Sequence, residues 1–353
     1  MSANDASWDT GIIDQVLSEF IDSQAQWLSP LGSDAGRILE HARISVAGGK
    51  RLRAAFCWWG YLAIADPIDP TSLARACSSL ELLHASALVH DDYMDASDTR
   101  RGRPATHLAF AQLHRDQDWS SSPEQYGAAA AILLGDLLLS WADEMLRTCG
   151  LPSDQVLHAL KYFDLTRSEV VLGQFLDISA QARGESDVDT AMKVVRYKSA
   201  KYSIERPLHI GAALAGADEQ VINQLTRFGL PLGEAFQLRD DLLGVFGDPE
   251  LTGKPAGDDL TEGKRTVLIA LALDALDDDA ARLLDQSLGS NLSDREVSNL
   301  RTLIQQSGAR DQVEQVIDQL TRTALRALDE AEISEISRVA LKTLADQATQ
   351  RVV

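Results

Sequence analysis

The sequence predicts a nearly all-α protein of ten or more helices, and three observations support this fold class. Proline is scarce, with 10 prolines among 353 residues, which leaves room for long helices because proline removes a backbone N–H and clashes with the preceding turn. Apolar residues recur at spacings of three and four, as one buried helix face requires. Alternating runs bounded by turn residues, which indicate strands, are scarce. The helical spacing is clear at Ala76, Leu80, Leu83, Ala87 and Leu88, and again at Val313, Val316, Ile317, Leu320, Ala324 and Leu328.

The chain shows no repeat of fixed period and no linker between two halves. We therefore expect a single domain over residues 1–353, with a core from about residue 35 to about residue 340 and a loose stretch over about residues 1–15. The segment from Ala128 to Leu146 is apolar almost all round, which predicts a helix at the centre of a bundle. The tail, from Arg326 to Val353, has the pattern of an exposed amphipathic helix.

Composition restricts the partners and the compartment. With 33 Lys+Arg against 53 Asp+Glu, the formal charge of −20 argues against nucleic-acid binding. The 3 cysteines form no disulfide framework or zinc pattern, which suits a reducing cytoplasm. No secretory signal peptide is visible, and the longest apolar run, from Ala128 to Leu134, is too short to span a bilayer.

Asp91, Asp92 and Asp95 form a first acidic cluster at the end of a helical pattern. At 100° per residue, Asp91 and Asp95 lie one turn apart on the same face, and His84 lies two turns before Asp91. Two carboxylates held so close repel each other unless a cation neutralises them, and hard oxygen ligands suit Mg²⁺. The alternative is an acidic helix end exposed to water, although each carboxylate there opposes the helix dipole by about 0.3–1 kcal/mol.

Two adjacent arginines, Arg100 and Arg101, follow this cluster on a short connection. Arginine binds phosphate oxygens through its planar fork of N–H donors. Carboxylates followed by arginines can therefore hold a metal ion and a polyphosphate together.

A second acidic cluster contains Asp240 and Asp241, which lie with Gln237 within two helical turns. A loop of acidic and basic residues follows, with Lys254 and Lys264. It does not fit the nucleotide-binding P-loop, because five residues rather than four separate its glycines and no Ser or Thr directly follows either lysine. We expect a lid over a metal–phosphate complex; the alternative is a solvated surface loop.

Two basic patches complete the pattern. Lys50 and Arg53, after two glycines, are three residues apart and share a face at a helix start, where backbone N–H groups also attract anions. The second patch runs from Arg196 to Tyr202, and its Lys198 could face inward. Solvated surface charge is the alternative for both patches.

The five motifs, in this order, resemble those of the trans-isoprenyl diphosphate synthases, or polyprenyl synthetases, and geranylgeranyl diphosphate synthases in particular. The matching stretches are GGKRLR at 48–53, HDDYMDASDTRRGRPATH at 90–107, GQFLD at 173–177, YKSAKY at 197–202, and FQLRDDLLGVFGD with its following GDDLTEGKRT loop at 236–266. The resemblance spans nearly the whole chain. It implies one all-α bundle around a deep central cavity (the isoprenoid synthase type), usually as a homodimer.

The resemblance also implies roles for individual residues. Asp91, Asp95 and Asp240 would be ligands of Mg²⁺, with three ions when substrate is bound. Asp92 and Asp241 would support these ligands from behind. The diphosphates would be held on the allylic side by Arg100, Lys198, Lys254 and Lys264, and on the isopentenyl side by Gly49, Lys50, Arg53, His84 and Arg101. Ser199 and Gln237 would lie near the carbocation, and Arg100, Lys198, Ser199 and Gln237 would act in catalysis.

Two positions depart from the family pattern. The second acidic motif often ends in a third Asp one turn after Asp240, where this chain has Gly244. Asp248, one further turn along, would not reach, so we expect the second metal site to be the weaker one. A Thr often follows the lysine at position 198, and here Ser199 keeps the hydroxyl group.

The implied reaction is condensation of isopentenyl diphosphate with dimethylallyl, geranyl or farnesyl diphosphate, with release of diphosphate. In the family, aromatic residues just before the first acidic motif stop growth at fifteen carbons. Ser86 and Ala87 are small, so we expect twenty carbons, with Leu83 or a residue of the 128–134 helix as the floor. Farnesyl or longer products remain alternatives, as do a class I terpene cyclase and a non-catalytic partner subunit.

Overall fold

The structure, a computed structural model, describes residues 8–67, 69–248 and 257–350. Within these ranges it is almost entirely helical, which confirms the predicted all-α class. The one sheet among them is an antiparallel hairpin of β1 (Thr99–Arg100) and β2 (Arg103–Pro104). The α-helices are α1 (Thr10–Leu28), α2 (Ser33–Val46), α3 (Leu52–Leu62), α4 (Pro70–Met94), α5 (Thr106–Asp116), α6 (Pro123–Arg147), α7 (Ser153–Arg183), α8 (Val188–Val194), α9 (Arg206–Leu214), α10 (Glu219–Phe246), α11 (Asp258–Glu262), α12 (Val267–Ala275), α13 (Asp278–Ser287), α14 (Asp294–Gln306), α15 (Ala309–Glu330) and α16 (Glu335–Thr349). A 3₁₀ turn (Ser29–Leu31) follows α1, and a π-helical stretch (Val195–Glu205) joins α8 to α9.

Capping side chains fix where the two helices with acidic clusters begin. Asp69 accepts hydrogen bonds from the backbone N–H groups of Thr71 and Ser72, and Pro70 occupies the first turn of α4. Asp218 caps α10 in the same way. These caps fix the residue at which each helix begins. They thereby help to determine the helix face on which its acidic cluster lies.

Two apolar clusters fill the interior. The larger joins α1, α2, α3, α4, α6, α7 and α9, and the smaller joins α8 with α12, α13 and α14. Helix α10 contributes to both, with Leu232 and Phe236 in the larger cluster and Leu238 and Leu242 in the smaller. The second acidic cluster therefore lies on one of the helices that join the two apolar clusters; α15 is another, with Leu328 in the larger cluster and Val313 in the smaller.

Both chain ends differ from the sequence-based expectation. The loose stretch expected over residues 1–15 is wrong for residues 10–15, because they begin α1, with Ile13 fully buried. Residues 1–7 lie outside the described residues. The exposed tail is also wrong, because α16 buries Leu341, Ala345 and Ala348. An apolar face that continues to the last turn packs on the core rather than facing water.

Helix α6 is not buried on all sides, contrary to the prediction from its composition. Its inner face is buried through Leu134 and Leu138, but Ile132 and Leu133 are 45% and 61% exposed. Among the described residues, no helix combines the length and the hydropathy needed to cross a bilayer.

Candidate active site

A cavity of about 840 Å³ lies between α4, the π-helical stretch and α10, and its volume is usual for a small-molecule site. Asp91 of α4 and Asp240 of α10 both line it, so the two acidic clusters face one space. Residues of both predicted basic patches also line this cavity. The predicted site residues that line the cavity are Lys50, Arg53, His84, Asp91, Arg100, Arg101, Lys198, Ser199, Gln237, Asp240, Asp241 and Lys264.

Asp91 is held by donors from two neighbouring segments. Gln174 Nε2 of α7 donates to Asp91 Oδ1 at 2.8 Å, and Lys198 Nζ lies 3.2 Å from the same oxygen. Burial would raise the pKa of Asp91, but the positive charges of Lys198 and Lys264 outweigh burial and lower the pKa. Asp91 is therefore ionised and faces the cavity as a carboxylate.

Asp95, the next acidic residue on this face, is not among the residues that line the cavity. Its side chain is nearly buried, and Lys264 Nζ lies 3.7 Å from its Oδ2. Burial and the neighbouring charge of Asp91 raise the pKa of Asp95 to about 6. Because each of the two carboxylates opposes ionisation of the other, a bound cation would stabilise both.

Asp92 orients the guanidinium group of Arg100 and is not among the residues that line the cavity. Arg100 Nε lies 2.9 Å and 3.2 Å from the two carboxylate oxygens of Asp92, and a second guanidinium nitrogen completes the pair. This two-point ion pair ties β1 back to α4 and fixes the guanidinium plane. Asp92 thus holds Arg100, the residue predicted to bind allylic diphosphate, at the cavity wall.

Lys198 lies where the π-helical stretch crosses α7 at very short range. Gly173 permits this crossing, because a Cβ at position 173 would lie 2.3 Å from the backbone nitrogen of Lys198. One turn along α7, Asp177 accepts a hydrogen bond from Lys198 Nζ at 2.5 Å. Asp91 and Asp177 raise the pKa of Lys198 although burial opposes its charge. Lys198 is therefore a fixed cation.

Sequence reasoning assigned no role to Gln174 and Asp177, although both belong to the GQFLD stretch. The available signal was their spacing of three, which places both polar side chains on one face of a helix. Their targets, Asp91 and Lys198, come from other helices, so pairing them required the packed structure.

The second acidic cluster is crowded with negative charge. Gln237 Nε2 donates to Asp241 Oδ1 at 2.7 Å, and both residues line the cavity. Burial, followed by the nearby charge of Asp259, raises the pKa of Asp241 to about 8. Asp259, at the start of α11, also lines the cavity and was not predicted from the sequence.

Lys264 links Asp95 of the first acidic cluster to α11. Its Nζ lies 3.1 Å from Asp259 and 3.7 Å from Asp95, and it also contacts Glu262. Burial opposes the charge of Lys264, but these carboxylates raise its pKa well above the ordinary value. Ser97 adds a second link, because its Oγ donates to Glu262 Oε1 at 2.9 Å. The segment after α10 is thereby bound to the end of α4.

Tyr202 organises the basic side of the cavity. Arg53 Nη2 donates to the Tyr202 hydroxyl at 2.6 Å and to Ser203 Oγ at 2.8 Å, and the guanidinium carbon lies 4.3 Å from the centre of the tyrosine ring. His84 Nδ1 lies 3.1 Å from the same hydroxyl. Burial and the charge of Arg53 hold the pKa of His84 well below its usual value, so His84 is neutral. Tyr202, like Asp259, was missed by sequence reasoning.

The glycine turn before α3 brings Arg101 to this basic pocket. Gly49 has φ +97°, and Arg101 Nη2 would lie 3.1 Å from a Cβ at this position. Arg101 donates to the carbonyl oxygens of Ala47 and Gly48. Gly49 therefore acts by leaving room for the Arg101 guanidinium.

The four remaining predicted site residues are Lys254, Leu83, Ser86 and Ala87. Lys254 lies outside the described residues. Leu83 and Ser86 are buried within α4 and Ala87 is half-buried. None of these three lines the cavity, whereas Leu88 does. Their role in setting product length therefore stays a prediction.

The donors of the cavity fit Mg²⁺ bound together with a phosphate group. Among the residues that the structure describes, no three carboxylate, thiol or imidazole side chains form a ready-made metal site. Mg²⁺ usually binds through one or two carboxylates and completes its shell with water and substrate phosphates. Asp91 on one side and Asp240 on the other line the cavity and offer this arrangement, and Asp95 lies one turn from Asp91 without lining the cavity.

The chain is similar to known proteins both in sequence and in fold. Residues 37–305 match the family model for polyprenyl synthetase. The chain is 32% identical to geranylfarnesyl diphosphate synthase of Aeropyrum pernix, over 76% of this chain and 79% of that one. It is 33% identical to (2E,6E)-farnesyl diphosphate synthase of Mycobacterium bovis, over 82% and 78%. The fold is similar to a crystal structure of geranylgeranyl pyrophosphate synthase from Corynebacterium glutamicum, complexed with isoprenyl diphosphate and magnesium (TM-score 0.94, 40% identity, 97% of this chain and 98% of that one).

Proposed function

The chain belongs to the polyprenyl synthetase family and is a prenyltransferase, and from this premise we propose that it makes geranylgeranyl diphosphate. It would condense isopentenyl diphosphate with dimethylallyl, geranyl or farnesyl diphosphate and release diphosphate. The observation that carries the proposal is the convergence of Asp91 and Asp240 on a cavity whose other side holds Arg53, His84 and Lys50. One cavity thus offers an acidic half for a metal-bound diphosphate and a basic half for a second diphosphate.

Mg²⁺, held by Asp91, Asp95 and Asp240, would supply charge neutralisation at the leaving diphosphate. We propose three ions. The relative from Corynebacterium glutamicum was crystallised with magnesium and isoprenyl diphosphate, which supports this choice of cation.

Fixed cations of the chain itself stabilise the leaving diphosphate. Lys198 is held by Asp177, Arg100 by Asp92, and Lys264 by Asp259. All three lysine and arginine groups line the cavity before any substrate arrives. Charges arranged in advance where negative charge develops are worth several kcal/mol in a site that excludes water. As the carbon–oxygen bond breaks, the electron pair stays on the diphosphate and these cations stabilise it.

The allylic cation left behind would lie near oxygen dipoles. Ser199 and Gln237 line the cavity next to Lys198 and Asp240, and Gln237 is oriented by its hydrogen bond to Asp241. The double bond of isopentenyl diphosphate attacks this cation, and the released diphosphate takes the proton.

The basic pocket would bind isopentenyl diphosphate through Lys50, Arg53 and Arg101. His84 is neutral and contacts Tyr202, so it offers a hydrogen bond rather than a charge. Gly49 contributes by admitting the Arg101 side chain. The two diphosphates are then held on opposite sides of the reacting carbons, which lowers the entropy cost of bringing them together.

We propose a product of twenty carbons because no aromatic side chain stands just before the first acidic cluster. Ser86 and Ala87 occupy the turn before Asp91, and Leu83 lies one turn deeper. Leu88 lines the cavity beneath Asp91. Farnesyl diphosphate is the alternative, since relatives with fifteen-carbon products are about equally similar.

We propose a homodimer in the cytoplasm. Helices α6 and α7 present large exposed apolar side chains: Ile132, Leu133, Leu157, Leu165, Val171, Leu172 and Phe175. Such side chains on neighbouring helices mark a surface that another protein covers. The three buried free cysteines suit a reducing compartment. Sedimentation should give twice the mass of one chain.

The direct test is incubation with labelled isopentenyl diphosphate and each allylic starter in turn, followed by dephosphorylation and sizing of the alcohol. A labelled C20 alcohol is expected, and a C15 alcohol would favour the alternative. Failure to incorporate label with any starter at saturating Mg²⁺ would contradict the proposed condensation.

A further inference from the structure

A strained turn precedes α3 and carries residues of the basic half of the cavity. Arg51, the residue just before this helix, has φ +51° and ψ +37°, the left-handed conformation that residues with a side chain rarely adopt. Lys50 and Arg53, on either side of it, line the cavity, whereas Arg51 does not. A strained conformation of this kind persists only where the surrounding contacts select it.

The guanidinium group of Arg51 makes contacts that select this conformation. Only 3% of its side chain is exposed. Its Nε donates to Asp14 Oδ1 of α1 at 2.9 Å, and its Nη2 donates to the same oxygen and, at 2.6 Å, to the carbonyl oxygen of Val46. Its Nη1 lies 3.4 Å from Glu81 Oε2 of α4. One side chain at the start of α3 is thus tied to α1, α2 and α4.

Glu81 also takes the place of an N-cap residue. Among the described contacts, α3 has no capping side chain at its own N-cap position, and the N–H groups of a first helical turn have no partner within the helix. Glu81 Oε1 accepts from the backbone N–H of Ala54 at 3.2 Å, and Glu81 is 6% exposed. This one buried carboxylate therefore holds both the first turn of α3, which carries Arg53, and the guanidinium group of Arg51.

We propose that Arg51 is a positioning residue for the isopentenyl diphosphate pocket, and that Asp14 and Glu81 hold it in place. The inference rests on the proposed function, because it concerns the pocket assigned to this substrate. Arg51 selects the left-handed turn that directs Lys50 and Arg53 toward the cavity. Helix α1, whose described residues do not line the cavity, thereby acts on the binding of isopentenyl diphosphate.

The same turn is held from the cavity side by Arg101, which donates to the carbonyl oxygens of Ala47 and Gly48. Arg101 is also proposed to bind diphosphate, and a bound diphosphate competes for its N–H groups. The contacts of Arg51 lie in the protein interior, where the substrate does not compete for them. Arg51 can therefore keep the turn in place while substrate is bound.

Steady-state kinetics of Asp14→Ala test the proposal. The variant leaves Arg51 its contacts with Glu81 and Val46 but weakens the selection of the turn, and a lower population of the binding-competent state weakens apparent affinity in proportion. From the usual strength of a hydrogen bond to a charged group, we expect the KM for isopentenyl diphosphate to rise about fivefold. The kcat and the KM for the allylic diphosphate should stay within about twofold of the wild type. Loss of folded protein would instead lower kcat and leave both KM values unchanged.

Asp22→Ala is the matched control. Asp22 also lies on α1 and accepts from an arginine, Arg43 of α2, at 2.8 Å, but neither residue lines the cavity. This variant should keep all three kinetic constants near those of the wild type. A KM for isopentenyl diphosphate in Asp14→Ala within about twofold of that in Asp22→Ala would overturn the proposal.

Two variants of Arg51 separate positioning from loss of charge. Arg51→Ala and Arg51→Gly remove the same guanidinium group, but glycine adopts a positive φ without strain. The KM for isopentenyl diphosphate should therefore be about fivefold higher in Arg51→Ala than in Arg51→Gly. Equal KM values in the two folded variants would assign the effect to the lost charge and overturn the proposal. If either variant fails to fold, the comparison of Asp14→Ala with Asp22→Ala decides.

The wild type separates this inference from the proposed function. If the wild type condenses isopentenyl diphosphate with an allylic starter and Asp14→Ala does so with unchanged KM values, the inference fails and the proposed function stands. If the wild type incorporates no isopentenyl diphosphate with any starter, both fail.

Discussion

Replacing Tyr202 with phenylalanine removes one oxygen atom that contacts both Arg53 and His84 in the basic half of the cavity. The hydroxyl accepts from Arg53 at 2.6 Å and lies 3.1 Å from His84 Nδ1. The phenylalanine ring would keep the stacking contact with the guanidinium group, now 4.3 Å from ring centre to carbon. The variant therefore tests the hydrogen bonds and leaves the packing intact.

The expected size of the effect follows from these contacts. A hydrogen bond to a charged group contributes about 1.5–3 kcal/mol. Arg53 keeps its bond to Ser203, so the lower value applies. Since about 1.4 kcal/mol corresponds to a factor of ten, the KM for isopentenyl diphosphate should rise about tenfold. The KM for the allylic substrate should stay near that of the wild type, because Tyr202 does not contact Lys198 or Arg100 in the described contacts.

Initial rates at varied isopentenyl diphosphate and saturating allylic substrate measure this effect. Tyr197→Phe is the matched control, because Tyr197 lies in the same π-helical stretch but is partly exposed and does not line the cavity. A KM for isopentenyl diphosphate within twofold of the wild type in Tyr202→Phe would refute the role of this hydroxyl. An equal rise in both KM values would show that the whole cavity had been disturbed.

Three further predictions concern the acidic half and the cavity floor. Asp91→Ala should abolish turnover in the labelled-substrate assay, since it removes a carboxylate that faces the cavity; near-normal activity at saturating Mg²⁺ would contradict the scheme. Ala87→Phe should shorten the product seen when the alcohol is sized, and an unchanged product would place the floor elsewhere. Asp241→Asn should stabilise the metal-free protein more at pH 8 than at pH 5 in thermal unfolding. The pKa of Asp241 is about 8 in the folded protein and about 4 in an unfolded chain. The stabilising contribution of Asp241 to folding is therefore complete below about pH 4 and is lost as the pH rises to 8. Equal shifts of the unfolding temperature at both pH values would refute this assignment.

Local signals predicted the fold class and the residues that carry charge into the cavity. Helical spacing placed His84 and Asp91 on one face, and both line the cavity. The same reasoning placed Asp240 on a second acidic helix, and the structure brings it to the same cavity. These predictions succeeded because the relevant information lies within a few turns of one helix.

The contacts between helices could not be predicted in this way. Asp177 reaches Lys198 and Tyr202 reaches Arg53 across helix crossings. Each pair depends on how two helices approach, and the approach at Gly173 depends on the absence of a side chain. Periodicity predicts which face of a helix is buried, but it does not predict which helix packs against that face.

Errors at the chain ends and at α6 have a related cause. The first turns of α1 and the whole of α16 are amphipathic, and amphipathicity does not distinguish an exposed helix from one that docks on a core. For α6, Ile132 and Leu133 are apolar but exposed in the single chain. Composition shows that these residues avoid water, and it does not show whether their own chain or a second one covers them.

The shared lysines have a consequence for how the protein cycles. Lys198 and Lys264 are already matched with carboxylates, so a diphosphate entering the cavity exchanges one set of partners for another. The net gain from capture is smaller than the number of its contacts suggests. When pyrophosphate leaves, the lysines pair with the carboxylates again. The empty cavity therefore does not contain unpaired lysines that would slow the release of this product.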